Sequence, residues 1–73
     1  MNNVIDILSE FTETAKKDIL PQSRLIEDLN LTSLDVLDMA GAFEQAYDIE
    51  ISDKDIKSLH TVQDIYEYLQ EYA

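Results

Sequence analysis

The sequence has no cysteine, one glycine, one proline and one histidine among 73 residues. Without cysteine there is no disulfide to support a small core and no cysteine nucleophile for catalysis. With so little glycine and proline, the chain lacks the punctuation that an all-β fold needs at its turns. The lone histidine, His60, makes no metal site, which needs further ligands at suitable spacing. Nothing in the pattern pairs it with a serine as a catalytic dyad, so it reads as a surface or inter-helix residue. Asp48, Glu50, Ser52, Asp53 and Asp55 look superficially like a calcium loop. The sixth position would be Asp53 instead of glycine and the twelfth Leu59 instead of glutamate, which excludes an EF-hand; no metal site is expected. No apolar run approaches the roughly 20 residues of a membrane span. Met1-Asn2-Asn3-Val4 lacks the basic and apolar stretches of a signal peptide, so a cytoplasmic location is expected.

Bases are also scarce: five against sixteen acids, a net charge of −11. Such a surface repels phosphate backbones, which argues against nucleic-acid binding, and it favours encounters with basic patches on partner proteins. What the chain does have is apolar content, 45% of its residues, enough to argue against disorder. The length allows one domain, 1–73, with a thin stability margin.

The apolar residues recur at helical spacing. Val4, Ile7, Leu8 and Phe11 share a face, widened by Ile5, Thr12 and Ala15, behind a cap at Asn3. Lys16 and Lys17 suit a helix C-terminus and Pro21 blocks continuation, so the first helix is expected over 3–16. Residues 17–32 read as a long connection. Its Ile19, Leu20, Leu25, Ile26, Leu29 and Leu31 imply packing onto a bundle, with Arg24, Glu27 and Asp28 on the solvated side. Thr32 caps a second helix running to about Tyr47, with Asp35 completing an approximate capping box. Val36, Met39, Ala40, Phe43 and Tyr47, joined by Leu37, form its core side. Leu34, Asp38, Gly41 and Gln45 form the outer face, flanked by Asp35, Glu44 and Asp48. After an extended stretch with Ile49 and Ile51, Ser52 and Asp55 cap a short third helix, 53–58, which turns Ile56 and Leu59 inward. Thr61 and Asp64 cap a fourth with the stripe Val62, Ile65, Tyr66 and Leu69; Tyr68 and Tyr72 lie at its margins. The expected fold is all-α: a small four-helix bundle with three long helices, one short helix and a long first loop.

The segment Glu27-Asp28-Leu29-Asn30-Leu31-Thr32-Ser33-Leu34-Asp35 resembles the attachment site of acyl carrier proteins, where an acidic-Leu-Gly-x-Asp-Ser-Leu run opens the second helix. Phe43-Glu44-Gln45-Ala46-Tyr47-Asp48-Ile49-Glu50-Ile51 resembles the end of that helix and the loop after it. Thr61-Val62-Gln63-Asp64 resembles the start of the last helix. The likeness covers essentially the whole chain. It implies a carrier without catalytic activity, whose 4′-phosphopantetheine arm is attached covalently to Ser33 by a phosphopantetheinyl transferase and holds acyl groups as thioesters. The reactive sulfur would be imported, which suits a chain without cysteine. A serine at the first helical position projects into solvent near unpaired amides and the positive end of the helix dipole, a suitable place for a phosphodiester. The resemblance also implies that Leu34, Asp35, Asp38, Glu44 and Asp48 meet basic docking patches on enzymes of fatty-acid synthesis or acyl transfer. The core face of helix two, with Ile51, Leu59 and Tyr66, would line a cleft for the cargo. A monomer is expected. The sequence departs from the family pattern at Thr32 (usually Asp), Asn30 (usually Gly) and Gly41 (often a larger apolar residue). Together these could mark a specialised carrier. Thr keeps the cap, and Asn tolerates the positive φ of a tight turn. Two alternatives stay open: a peptidyl, polyketide or D-alanyl carrier using the same arm, or an acidic interaction module without a prosthetic group.

Overall fold

Three segments of the chain repeat one local pattern, a hydroxyl residue followed three positions on by aspartate: Thr32-x-x-Asp35, Ser52-x-x-Asp55 and Thr61-x-x-Asp64. Each starts a helix. The structure, a computed structural model, describes residues 2–72. In order, its helices are α1 (Asn2–Leu8), a 3-10 turn (Lys16–Asp18), α2 (Ser33–Tyr47), α3 (Asp53–Lys57) and α4 (Val62–Tyr72). Among the described residues there is no strand, only an isolated antiparallel bridge between Arg24 and Thr61.

At all three starts the hydroxyl oxygen accepts the amide of the aspartate, at 3.1 Å for Thr32, 3.2 Å for Ser52 and 3.1 Å for Thr61. At α2 and α4 the carboxylate also reaches back. Asp35 accepts the Thr32 amide at 3.0 Å, and Asp64 accepts the amides of Thr61 and His60 at 3.1 and 2.9 Å. These are closed capping boxes. The carboxylate of Asp55 is turned elsewhere, to the hydroxyl of Tyr68, which donates to it at 2.8 Å.

α1 is half the expected length, so the bundle has two long helices where three were expected, and the first loop begins at Ser9. Hydroxyl side chains explain the stop. Ser9 Oγ donates to the Asp6 carbonyl at 2.7 Å, and the amides of Glu10 and Phe11 tighten to carbonyls three residues back. Thr12 Oγ1 donates to the Leu29 carbonyl at 2.8 Å and accepts the Thr14 amide at 3.2 Å. Such bonds compete with the helical ladder. Ala15 is exposed, outside the stripe assigned to it, and Lys16 sits in the separate 3-10 turn, paired with Asp6 at 3.0 Å.

The first loop packs as its apolar content demands. Ile19, Leu25, Leu29 and Leu31 are buried, and Arg24, Glu27 and Asp28 are exposed. Leu20 and Ile26 are exposed, against expectation. Leu25 and Leu29, four apart in the turn, take the inward positions and leave Ile26 outside. Leu20 opens a tight turn closed by Ser23, whose amide donates to the Leu20 carbonyl at 3.0 Å and whose hydroxyl accepts the Leu20 amide at 3.0 Å. Three backbone bonds clasp this loop to the start of α4: Leu25 amide to His60 carbonyl (2.9 Å), Val62 amide to Ser23 carbonyl (3.1 Å) and Gln63 amide to Pro21 carbonyl (2.9 Å).

The core lies between α2, α4, α1 and the loop. α2 contributes Val36, Met39, Ala40 and Phe43; α4 contributes Val62, Ile65 and Leu69; Ile51, Ile56 and Leu59 close it from the α3 side. Leu37 is half exposed, contrary to its assignment to the core: at about 100° per residue it has rotated well away from the Met39–Phe43 direction. α3 ends one residue before the expected limit.

Candidate functional site

The loop before α2 is shaped to deliver Ser33 to the surface. The amides of Asp28 and Leu29 both donate to the Arg24 carbonyl, at 2.9 and 3.0 Å, and the Leu31 amide donates to the Leu25 carbonyl at 3.1 Å. Asp28 accepts the Arg24 amide at 2.8 Å and faces its guanidinium at 3.4 Å. These bonds hold its carboxyl below the ordinary range, the backbone bond contributing most and the guanidinium next. Between the buried Leu29 and Leu31, Asn30 adopts φ 58°, the left-handed turn expected where the family carries glycine. The chain then rises to Thr32, the cap, and Ser33, the first residue of α2.

Ser33 is exposed, and no hydrogen bond engages its hydroxyl among the described residues. Its own amide and that of Leu34 belong to the first helical turn, which has no intrahelical acceptor for them. A phosphate-linked group fits this place: the hydroxyl is free, and the helix end favours negative charge. A groove of about 270 Å3 lies beside it, lined in part by Phe11, Thr12, Leu29, Asn30 and Asp35.

The five residues expected to meet partners divide into two kinds. Leu34, 66% exposed, and the exposed Asp38 stand open on the outer face of α2. Asp35 is half-buried, with one oxygen in the capping box. Glu44 is half-buried too, and its Oε2 accepts the Ile51 amide at 2.9 Å, strapping the following loop to the helix. Asp48 is exposed at the far end, capping α2 with φ 55°. Sequence reasoning missed Leu37, which joins Leu34 on the open face; the signal was their spacing of three, one helical turn. Ile51 and Leu59 are buried in the common core and Tyr66 packs half-buried against it. His60 is exposed, its amide bound to Asp64. Among the described residues, no three His, Cys, Asp or Glu side chains converge in a way that could hold a metal ion. No described helix is long and apolar enough to cross a membrane.

The family described as "Phosphopantetheine attachment site" matches residues 2–69, and the chain belongs to it. The chain is 39% identical to the acyl carrier protein of Syntrophobacter fumaroxidans, over 90% of this chain and 82% of the relative. It is 35% identical to that of Buchnera aphidicola, over 92% and 86%. The fold is similar to the solved acyl carrier protein of Enterococcus faecalis, with a TM-score of 0.83 and 25% identity over 97% of this chain and 90% of that one. Within the family, then, it is an acyl carrier protein: a carrier, not an enzyme, which works with covalently attached 4′-phosphopantetheine and interacts with a phosphopantetheinyl transferase and acyl-handling enzymes.

Proposed function

We propose that Ser33 Oγ is the attachment atom and that the protein carries acyl intermediates for fatty-acid or related lipid biosynthesis, as a cytoplasmic monomer. The observation that carries this reading is the exposed, unengaged hydroxyl of Ser33 directly behind a closed Thr32–Asp35 box at the start of α2. The attached group supplies a thiol on a flexible arm, which holds the acyl chain. The residues of this chain do the rest. Thr32 and Asp35 fix the helix end, so that Ser33 is offered in one orientation. The first-turn amides and the helix dipole favour the phosphodiester. Leu34, with Leu37 beside it, gives a docking enzyme an apolar foothold next to the attachment point. Asp38 supplies open charge on the same face, Asp48 extends it at the far end, and Asp35 and Glu44 add charge while bound to backbone amides. With a net charge of −11, the surface steers encounters with basic tunnel mouths.

The test is intact-mass measurement after incubation with coenzyme A, magnesium and a broad-specificity phosphopantetheinyl transferase. One added phosphopantetheinyl group is expected on the wild type and none on Ser33→Ala. Addition to the variant would move the site to another hydroxyl. No addition to folded wild type would leave an acidic docking module.

A further inference from the structure

The odd member of the three capping segments is Ser52-x-x-Asp55. Its hydroxyl caps α3 as the others cap α2 and α4, but its carboxylate leaves the local box to accept the Tyr68 hydroxyl at 2.8 Å. A local bond has been exchanged for a tie between α3 and α4. α3 has only five residues, far fewer than a helix needs to hold itself together, so its place depends on such ties. Two others exist: the buried side chains of Ile56 and Leu59, and the strap from Glu44 to the Ile51 amide. A groove of about 460 Å3 runs along this side, bordered by Ile51, Ser52, Asp55, Tyr68 and Tyr72. The rings of Tyr68 and Tyr72 pack at 4.5 Å on its α4 wall.

We propose that Asp55 is a two-position latch. In the closed position it holds Tyr68 and keeps α3 against α4. In the open position it closes the capping box on the Ser52 amide, as Asp35 and Asp64 do at their helices, and α3 swings free. The released carboxylate finds an equivalent acceptor role at once, which offsets the loss of the Tyr68 bond and leaves the exposure of Ile56 and Leu59 as the main cost of opening. The carboxylate itself thus has two positions, the condition for a two-state element. What opens is the wall formed by Ile51, Ile56 and Leu59, which gives the groove access to the apolar interior. The consequence for function rests on the carrier reading: the latch sets how readily the interior admits an acyl chain, and Asp55 and Tyr68 are positioning residues for the cargo.

Amide hydrogen exchange on the unloaded protein tests the latch without any cargo. In Tyr68→Phe the amides of Ile56 and Leu59 are expected to exchange about tenfold faster, the effect of losing one charge-assisted hydrogen bond. The Ser52 amide is expected to exchange more slowly, because Asp55 moves onto it, and α2 amides such as that of Met39 should not change. Asp55→Ala loses both positions, so it should accelerate Ile56 and Leu59 without protecting Ser52. A Ser52 amide that gains no protection in Tyr68→Phe, or acceleration spread equally through α2, would overturn the latch. The cargo role is read from octanoyl groups loaded from octanoyl coenzyme A by the transferase. Cleavage by hydroxylamine should be several-fold slower on Tyr68→Phe, because the chain enters the interior more often. Equal cleavage rates on two loaded proteins would refute that role. If neither protein loads, the carrier reading falls while the exchange result still decides the latch.

Discussion

At the level of single residues, Asn30 and Gly41 carry opposite lessons about backbone freedom. Asn30 sits at φ 58°, where a β-branched side chain is strained. Asn30→Val is expected to lower stability by about 1–2 kcal/mol in urea denaturation. Gly41 has no such reason to be glycine. Its φ is not positive, and a Cβ there would meet nothing within 4 Å. Gly41→Ala should therefore raise stability by about 1 kcal/mol in the same measurement, the ordinary helix-interior difference. Thr32, Asn30 and Ser33 were legible in the sequence because their roles are local: a cap, a turn and a helix start within four residues. Leu37 was not, because grouping it with the core followed its hydrophobicity over its helical angle. The same local logic hid the destination of Asp55, since nothing within one turn of it reveals a tyrosine thirteen residues away.

Among the elements, the turn from Arg24 to Leu29 has an acid-sensitive hold. The folded state lowers the Asp28 carboxyl below its ordinary value of 3.8, through the Arg24 amide first and the guanidinium next. A lowered value means that the contribution is fully present above the unfolded pKa and is lost as the pH falls through the folded one. Stability measured from pH 5 downward should fall less steeply in Asp28→Asn than in the wild type. Tyr68 has the opposite sign: burial first, then the Asp55 bond, pushes its hydroxyl from 10.0 up to about 12, so its tie is lost only as the pH rises through that value. Helices α2, α3 and α4 were readable from their caps and apolar spacing. α1 was overread, because Val4, Leu8 and Phe11 keep helical spacing past the point where Ser9 and Thr12 take the backbone elsewhere. The Thr12 bond to the Leu29 carbonyl is tertiary, and a periodicity argument has no access to it.

For the whole molecule, charge and core pull against each other. Buried side chains from every helix meet in one cluster, inside a surface of net charge −11. Two of the five bases are already committed, Lys16 to Asp6 and Arg24 to Glu27 and Asp28. Self-repulsion therefore opposes compaction, and salt screens it. The melting temperature is expected to rise when salt is increased from low to physiological strength; a flat response would mean that the repulsion is already neutralised within the fold. Helix order and the identity of most core residues were legible at this scale. The clasp between residues 21–25 and 60–63 was not, since neither segment has the alternation of a strand and each pairs only with the other.

That clasp also decides how the protein bears a pull. Tension on the two chain ends, once α1, the loop up to residue 20 and α4 beyond Gln63 are drawn off the core, arrives at Pro21 from one side and Gln63 from the other. These two are paired, at the outer end of an antiparallel set that continues through Ser23–Val62 to Leu25–His60. The bonds are loaded one after another, as in a zipper, and give way at low force. Until the last one parts, the segment from 26 to 59, with Ser33 in it, hangs slack and carries no load.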